Sequence, residues 1–246
     1  MLVLGIETSC DDTAVAIVRN GVEVLSNIRE SQPDHDTWGG VVPEIAARLH
    51  AENWKGVLEQ ALVQADVTMD DIDAIAVTQG PGLQTSLLTG TTAGSFLSLL
   101  YDKPLIPVQH ILGHVMSVHL GRRLRGGEME RCEEVVELPS LVLTVSGGHT
   151  QMHLRGQRDR KVEKQEVGKL EGDSEEGFLR IEKIGQSLDD ACGEAFDKLG
   201  KMLGLGYPGG PIVSRMAEKG DSTKFKLPNI YLEKESLDFS FSGLKA

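Results

Sequence analysis

Aromatic residues are scarce, 4% of 246 positions with only two tryptophans. Any large core must therefore be aliphatic. Cysteine is scarce too: Cys10, Cys132 and Cys192 are an odd count with no Cys-x-x-Cys pair. That argues against a disulfide framework and for a reducing compartment. No apolar run approaches the ~20 residues that span a bilayer. The opening Met1 to Glu7 lacks the length and basic flank of a secretion signal, so the expected location is cytoplasmic, with no membrane partner. Positive charge is in deficit, and the formal net charge is -12. That argues against a simple basic nucleic-acid-binding module, although a local patch or a partner subunit could still supply such contacts.

What is present is an ordinary globular composition, 40% hydrophobic and 25% charged, long enough for one large or two ordinary domains. Leu2 to Glu7 reads as a buried strand, followed by a small polar turn, Thr8-Ser9-Cys10-Asp11-Asp12. Thr13 to Val18 returns, Asn20-Gly21 signals a hairpin, and Val22 to Ser31 makes a third strand. The first turn offers hydroxyls, carboxylates and backbone N–H groups. Such a turn can hold nucleotide phosphates and present a carboxylate to a metal or a water, and the same residue types also build plain β-turns. Thr37 to Glu44 is a glycine-containing loop into a helix with Pro43 in its first turn. That helix runs to about Gln64 on Ile45, Leu49, Val57, Leu58, Ala61 and Leu62, with Arg48, His50 and Glu52 most simply on a solvated face, a functional rim being the alternative.

Ile72 to Val77 is a strand, Gly80-Pro81-Gly82 a loop, and Leu87 to Leu100 a helix. This strand, glycine loop and helix order suits an anion site, but no Gly-Lys-Ser/Thr follows, so it is not a Walker loop. Pro104 to Val108 is the next strand and ends at His110-Ile111-Leu112-Gly113-His114. Histidines at i and i+4 share one helix face and can hold one metal ion; chance gives the same spacing. Two ligands fall short of the about three that a catalytic metal needs. Ile111 stands where a zinc protease carries its general-base Glu.

Residues 121 to 137 read as a solvated surface excursion with a small arginine cluster. Leu141 to Val145, the turn Ser146-Gly147-Gly148-His149-Thr150 and the return Gln151 to Leu154 repeat the strand–turn–strand pattern of the N-terminus. The likeness hints at a duplicated unit clamping one nucleotide, with Gly147 and Gly148 letting backbone N–H groups approach phosphate. Residues 156 to 182 read as a charged insertion, acidic from Glu171 to Glu176. A helix follows, capped by Ser187 or Asp189, with Phe196, Leu199, Met202 and Leu203 as its apolar stripe and Asp197 pointing inward. Leu237 to Ala246 alternates like a strand.

Several of these segments occur in one order. They are Gly5-Ile6-Glu7-Thr8-Ser9-Cys10-Asp11-Asp12-Thr13, Gly39-Gly40-Val41-Val42-Pro43-Glu44, Gly80-Pro81-Gly82, His110-x-x-x-His114, Val145-Ser146-Gly147-Gly148-His149-Thr150, Asp189-Asp190-Ala191-x-Gly193-Glu194-Ala195-Phe196-Asp197-Lys198, Tyr207-Pro208-Gly209-Gly210-Pro211 and Asp238-Phe239-Ser240-Phe241-Ser242-Gly243-Leu244-Lys245. In that order they resemble the bacterial form of the TsaD family, the tRNA threonylcarbamoyladenosine transferases once labelled glycoproteases.

The resemblance implies an α/β fold of the actin-like ATPase and sugar-kinase class. It would have two ribonuclease-H-like lobes, 1–107 and 108–246, the second incomplete at its C-terminus. It implies transfer of a threonylcarbamoyl group from threonylcarbamoyl-AMP to N6 of the adenosine beside the anticodon in tRNAs reading ANN codons. His110 and His114 would bind one divalent metal, iron or zinc. Thr144, Val145, Ser146, Gly147, Gly148, Asp197 and Gly210 would contact the adenylate (ATP or AMP being alternatives), and Glu7, Ser9 and Asp11 would line the reacting centre. The implied partners are tRNA, a TsaB-like paralogue and a TsaE-like ATPase. The family's third metal ligand, an Asp, and a substrate-contacting Asn would lie beyond Ala246. Alternatives are a catalytically silent scaffold, a metalloprotease and a sugar kinase.

Overall fold

The computed structural model describes residues 1–32, 35, 40–123, 129–130, 137–157, 179–230, 232 and 236–245. Most of the Thr37 to Glu44 loop's glycine end, the acidic run at Glu171 to Glu176 and Cys132 lie outside them. The chain divides into two compact units, Met1–Val135 and Val136–Ala246.

The first unit is built on a mixed sheet. Strands β1 (Leu2–Glu7), β2 (Asp12–Arg19) and β3 (Glu23–Ser31) form an antiparallel meander. β4 (Ala74–Gly80) joins β1 in parallel, and β5 (Leu105–Gln109) joins β4 in parallel. The order β5-β4-β1-β2-β3 puts β1 in the interior, and burial alternates along β1 and β2 as a half-covered strand requires. Helix α1 (Pro43–Ala65) packs on β2 and β3, α2 (Gln84–Tyr101) packs on β4, and the two helices touch. Each stops on an aspartate in the left-handed conformation, Asp66 and Asp102. Leu4, Ile17, Val57, Ala61, Ile72 and Ile75 are fully buried between sheet and helices. The core is aliphatic, as the scarcity of aromatics requires.

The short helix α3 (His110–Met116) packs on β4 and β5 of this unit. Ile111 and Val115 of α3 are buried, which ties residues just past the expected 107/108 boundary to the sheet of this unit. Residues 121–123, expected in a solvated loop, form strand β6, which extends the sheet in parallel beside β3; β7 (Met129–Glu130) pairs with it. An open strand edge has backbone groups to satisfy, and β6 satisfies those of β3.

The second unit holds an antiparallel sheet of β8 (Ser140–Val145), β9 (Thr150–Gln157) and β10 (Leu179–Gln186), in the order β10-β9-β8. Residues 179–182 thus belong to a strand and not to the insertion. Helices α4 (Cys192–Met202) and α5 (Gly209–Ala217) pack on each other through Gly200 and Gly209, where a Cβ at Gly209 would lie 2.6 Å from the Phe196 carbonyl. The apolar stripe expected on α4 faces outward instead. Phe196, Met202 and Leu203 are exposed, and the small Ala195 and Gly200 make the packed face. Neither Ser187 nor Asp189 caps α4, whose N-cap is Ala191. Asp189 accepts from Ser240 Oγ (2.5 Å), Phe241 N (2.9 Å) and Ser242 N (3.2 Å). These bonds draw the last residues out of a strand. Among the described residues Phe239 bridges to Ser187, and Ser242–Lys245 form a 3-10 turn.

Candidate functional site

In the first unit, β1 ends at Glu7, β4 carries Thr78, and β5 delivers His110 to the start of α3. Parallel neighbours ending at one side of the sheet bring the three side chains together. Glu7 Oε2 lies 3.0 Å from His110 Nδ1 and accepts from Thr78 Oγ1 at 2.6 Å. Its other oxygen accepts from the Ser9 backbone N–H at 2.5 Å. Burial alone would raise the Glu7 carboxyl, but the hydrogen bonds from His110, Ser9 and Thr78 outweigh it and hold the group at about 2.

An ionised carboxylate can only accept, so His110 Nδ1 carries the proton toward Glu7, and Nε2 is the nitrogen turned to His114. Ser9 Oγ stands 3.2 Å from the same Nδ1. His110 Nε2 faces His114 Nε2 at 3.0 Å, with the rings edge to face. Burial and the neighbouring His110 both push His114 toward its neutral form. Two imidazole nitrogens on a tetrahedral zinc or iron would stand about 3.3 Å apart. A carboxylate on the far ring nitrogen is how metal-binding histidines are usually held. The donor set therefore fits a metal, but as a pair: no cluster of three His, Cys, Asp or Glu exists among the described residues. Ile111, at the protease base position, is buried in the core.

The expected residues Glu7, Ser9, His110 and His114 are thus brought together. Asp11 lies in the same turn, half-buried, beyond Cys10. Thr78 was not anticipated, although its position at the end of the strand parallel to β1 was a usable signal.

In the second unit, the Ser146–Thr150 turn is braced from both sides. Ser146 Oγ accepts from His149 N (3.1 Å), Ser146 N donates to the His149 carbonyl (2.8 Å), and Gly193 N, at the start of α4, donates to the Ser146 carbonyl (3.2 Å). A Cβ on Gly193 would stand 2.7 Å from that carbonyl. Gly147 and Gly148 have open space around them, Thr144 is buried, and Val145 is 54% exposed. Asp197 does point inward: its Oδ1 accepts from Gly209 N (2.8 Å) and Gly210 N (3.3 Å), holding the start of α5. A carboxylate is well placed there against the helix dipole.

The sequence model of the family described as TsaD, tRNA N6-adenosine threonylcarbamoyltransferase, matches residues 23–174 and 174–246. The chain belongs to the TsaD family. Its relatives include the tRNA N6-adenosine threonylcarbamoyltransferases of Staphylococcus aureus strains JH9 and N315, each 44% identical over the whole of this chain and 63% of the relative. The chain thus spans less than two thirds of the length of the curated relatives it matches. Among solved structures, YeaZ from Pseudomonas aeruginosa aligns with a TM-score of 0.39 at 17% identity, over 65% of this chain and 62% of that one. TsaD membership carries the actin-like, ribonuclease-H-like α/β fold, and the strand order of the first unit agrees with it.

Proposed function

We propose that the protein represented by this chain transfers a threonylcarbamoyl group from threonylcarbamoyl-AMP to N6 of the adenosine beside the anticodon in tRNAs reading ANN codons. TsaD membership supports the reaction class. The observation that carries the site is the Glu7–His110–His114 line, in which an ionised carboxylate orients one imidazole and leaves two Nε2 atoms 3.0 Å apart.

On this reading His110 and His114 hold one divalent metal, iron or zinc. Bound there, the metal supplies Lewis acidity toward the carbamoyl or phosphate oxygens. Glu7 fixes the tautomer of His110, while Ser9 and Asp11 face the reacting groups. Gly147 and Gly148 leave backbone room for the adenylate, next to Thr144, Val145 and Ser146, with Asp197 and Gly210 at the start of α5 completing its contacts. The N6 amine attacks the threonylcarbamoyl carbonyl and AMP leaves.

A TsaB-like paralogue fits the outer face of α1 and α2. There a groove of about 560 Å³ is lined by Trp54, Leu88, Thr92 and Phe96, with Leu88 and Phe96 more than half exposed. Apolar exposure of that kind marks protein contacts. A TsaE-like ATPase and tRNA complete the partners, and the net charge of -12 gives a reason for tRNA to be held with help. No helix among the described residues is long and apolar enough to cross a membrane; a tRNA substrate places the work in the cytoplasm.

The count of two ligands among the described residues favours a second reading, a scaffold subunit without chemistry. Elemental analysis of the purified chain beside His110→Ala, with transfer of labelled threonine to tRNA by the whole protein and its partners, separates them. Near-stoichiometric metal lost in the variant, together with labelled tRNA, supports the transferase. Metal-free protein in both samples sinks the metal site, and unlabelled tRNA sinks the transferase.

A further inference from the structure

His50 was expected on the solvated face of α1, beside Arg48 and Glu52. Those two are exposed and pair weakly at 3.9 Å, but His50 is 0% exposed. It lies four residues after buried Ala46, one turn before Trp54 and two before buried Val57, on the face turned to the sheet. A buried imidazole needs partners for both nitrogens, and the structure provides them. Nε2 stands 3.0 Å from the Cys10 carbonyl and Nδ1 stands 2.7 Å from Thr13 Oγ1. A carbonyl can only accept, so Nε2 carries the proton and Nδ1 accepts from the threonine hydroxyl.

The neighbours agree with that tautomer. Gln32 Nε2 donates to the Ala46 carbonyl (3.2 Å) and reaches toward His50 Nδ1 (3.5 Å), while Gln32 Oε1 accepts from His35 Nε2 (2.8 Å). The bare His35 Nδ1 then accepts from Val42 N at 3.3 Å. Gln32, His35, His50 and Thr13 are all buried. In this network each imidazole has one nitrogen that donates and one that accepts, and such pairing is how a buried polar network fixes one geometry. Burial holds His50 neutral, against the pull of nearby carboxylates.

The consequence lies in the first turn. The Ser9 carbonyl is held by Leu83 N (2.7 Å) and the Ser9 N–H by Glu7. The next carbonyl, Cys10, is held by His50. A planar trans peptide fixes its N–H when its carbonyl is fixed, so His50 sets the orientation of the whole Cys10–Asp11 peptide. We propose that His50 is a positioning residue that anchors this peptide through its Nε2–H. By doing so it sets where Ser9 and Asp11 stand relative to Glu7 and His110. The assignment of a role in transfer rests on the reading given under Proposed function; the anchoring itself does not.

Two substitutions of similar size separate anchoring from bulk stability. In His50→Gln the side-chain amide nitrogen overlies Nε2 and keeps a donor for Cys10. In His50→Asn it overlies Nδ1 and cannot reach. Both lose the ring, so both should lower Tm alike. Amide hydrogen exchange at Ser9, Cys10, Asp11 and Asp12 should accelerate at least tenfold in His50→Asn relative to His50→Gln, with the amides of Leu4 and Ile17 unchanged between them. In the whole protein with its partners, kcat for transfer should fall about 100-fold in His50→Asn with KM little changed, as for a misplaced reacting group. In His50→Gln it should stay within about fivefold. Equal turn exchange in the two variants overturns the anchoring. Should His50→Asn fail to fold, the 15N shifts of the wild-type His50 ring decide: a protonated Nε2 with a bare Nδ1 supports the proposal and the reverse tautomer overturns it. A loosened turn in a protein whose wild type transfers nothing would remove the transferase reading and leave the anchor standing.

Discussion

The same strand–turn–strand pattern occurs in both units and has a different fate in each. In the first, β1 lies between β2 and β4, and Leu4 and Ile6 are buried, at 0% and 4% exposure. In the second, β8 pairs only with β9 among the described residues, and Leu141, Leu143 and Val145 are 65%, 55% and 54% exposed. The apolar alternation is alike, so the difference comes from the later elements of each unit. Residues 74–101 give β1 a parallel neighbour and a covering helix. Among the described residues, α4 and α5 lead to no further strand, only to the bridge at Phe239. A pattern tells which face wants burial; only the rest of the chain decides whether it is buried.

This comparison is broken most directly by matched truncations. Ile75→Ala in β4, at a fully buried position, should cost about 2–5 kcal/mol. Leu143→Ala in β8 should cost within about 0.5 kcal/mol, as a surface change does. Urea titration of both variants measures it. Equal losses would mean that the face of β8 is covered in solution, and the contrast between the units would fall.

The comparison also shows how far residues alone could be read. The meander, both long helices and the histidine pair were legible because hydrophobic period, Pro43, Asn20-Gly21 and the i, i+4 spacing are local signals. Asp197 does turn to the start of α5, but not for the reason its neighbour suggested, since Phe196 faces outward. What failed was long-range. His50 looked like one more polar residue beside Arg48 and Glu52, and its partners Cys10, Thr13 and Gln32 lie 18 to 40 positions away. Its spacing from Ala46, Trp54 and Val57 was the missed clue. Asp189 had the sequence position of a helix cap, and the structure uses it on Ser240 to Ser242 instead, 51 to 53 residues on. The outward Phe196 and Met202 defeat pattern reading for the same reason as β8.

A second, smaller test asks whether the two turns are braced alike. Each turn is approached by a glycine from a helix. A Cβ on Gly90 of α2 would overlap Thr8 Oγ1, which donates to the Ser86 carbonyl at 2.8 Å. A Cβ on Gly193 of α4 would stand 2.7 Å from the Ser146 carbonyl and 2.8 Å from Gly147 Cα. Gly90→Ala and Gly193→Ala should each cost about 1–3 kcal/mol by overpacking. The Gly90 change meets a side chain that can rotate, at the loss of its hydrogen bond. The Gly193 change meets backbone and must displace the turn. Denaturant midpoints should fall in both, and amide exchange at Ser146 to His149 should rise only in Gly193→Ala. An unshifted turn there would show that the second unit is too loosely packed to be strained.

The smallest expected effect concerns the ion pairs beside the small buried cluster that the described residues of the second unit form. Its buried cluster is Ala195, Phe239 and Phe241, and ion pairs tie the same segments together. Asp190 accepts from Lys198 Nζ at 2.6 Å and pairs with Lys245, while Asp189 holds residues 240–242. The Lys198 and Lys245 bonds bring the Asp190 carboxyl down from its ordinary 3.8 to about 2, and the bonds from Ser240, Phe241 and Ser242 lower Asp189 against its burial. A carboxyl lowered in the folded state contributes stability that is complete above its unfolded value and is lost as pH falls through the folded one. The second unit should therefore weaken between about 4 and 2, while the first has Glu7 as its similarly lowered carboxylate. Both lysines are partly exposed, so the pairs are worth about 1 kcal/mol or less. Urea titrations at pH 5 and pH 3, followed at the amides of Leu188 and Phe239, should show this acid loss in the wild type. In Asp190→Asn one of the two lowered carboxyls is gone, so stability should be lower at pH 5 and the loss down to pH 3 smaller, the remainder belonging to Asp189. An undiminished acid loss in Asp190→Asn would assign the effect to Asp189 alone. Salt should shrink the wild-type difference if exposed lysines carry it, and indifference to salt would mean that Phe239 and Phe241 hold the segment without ionic help.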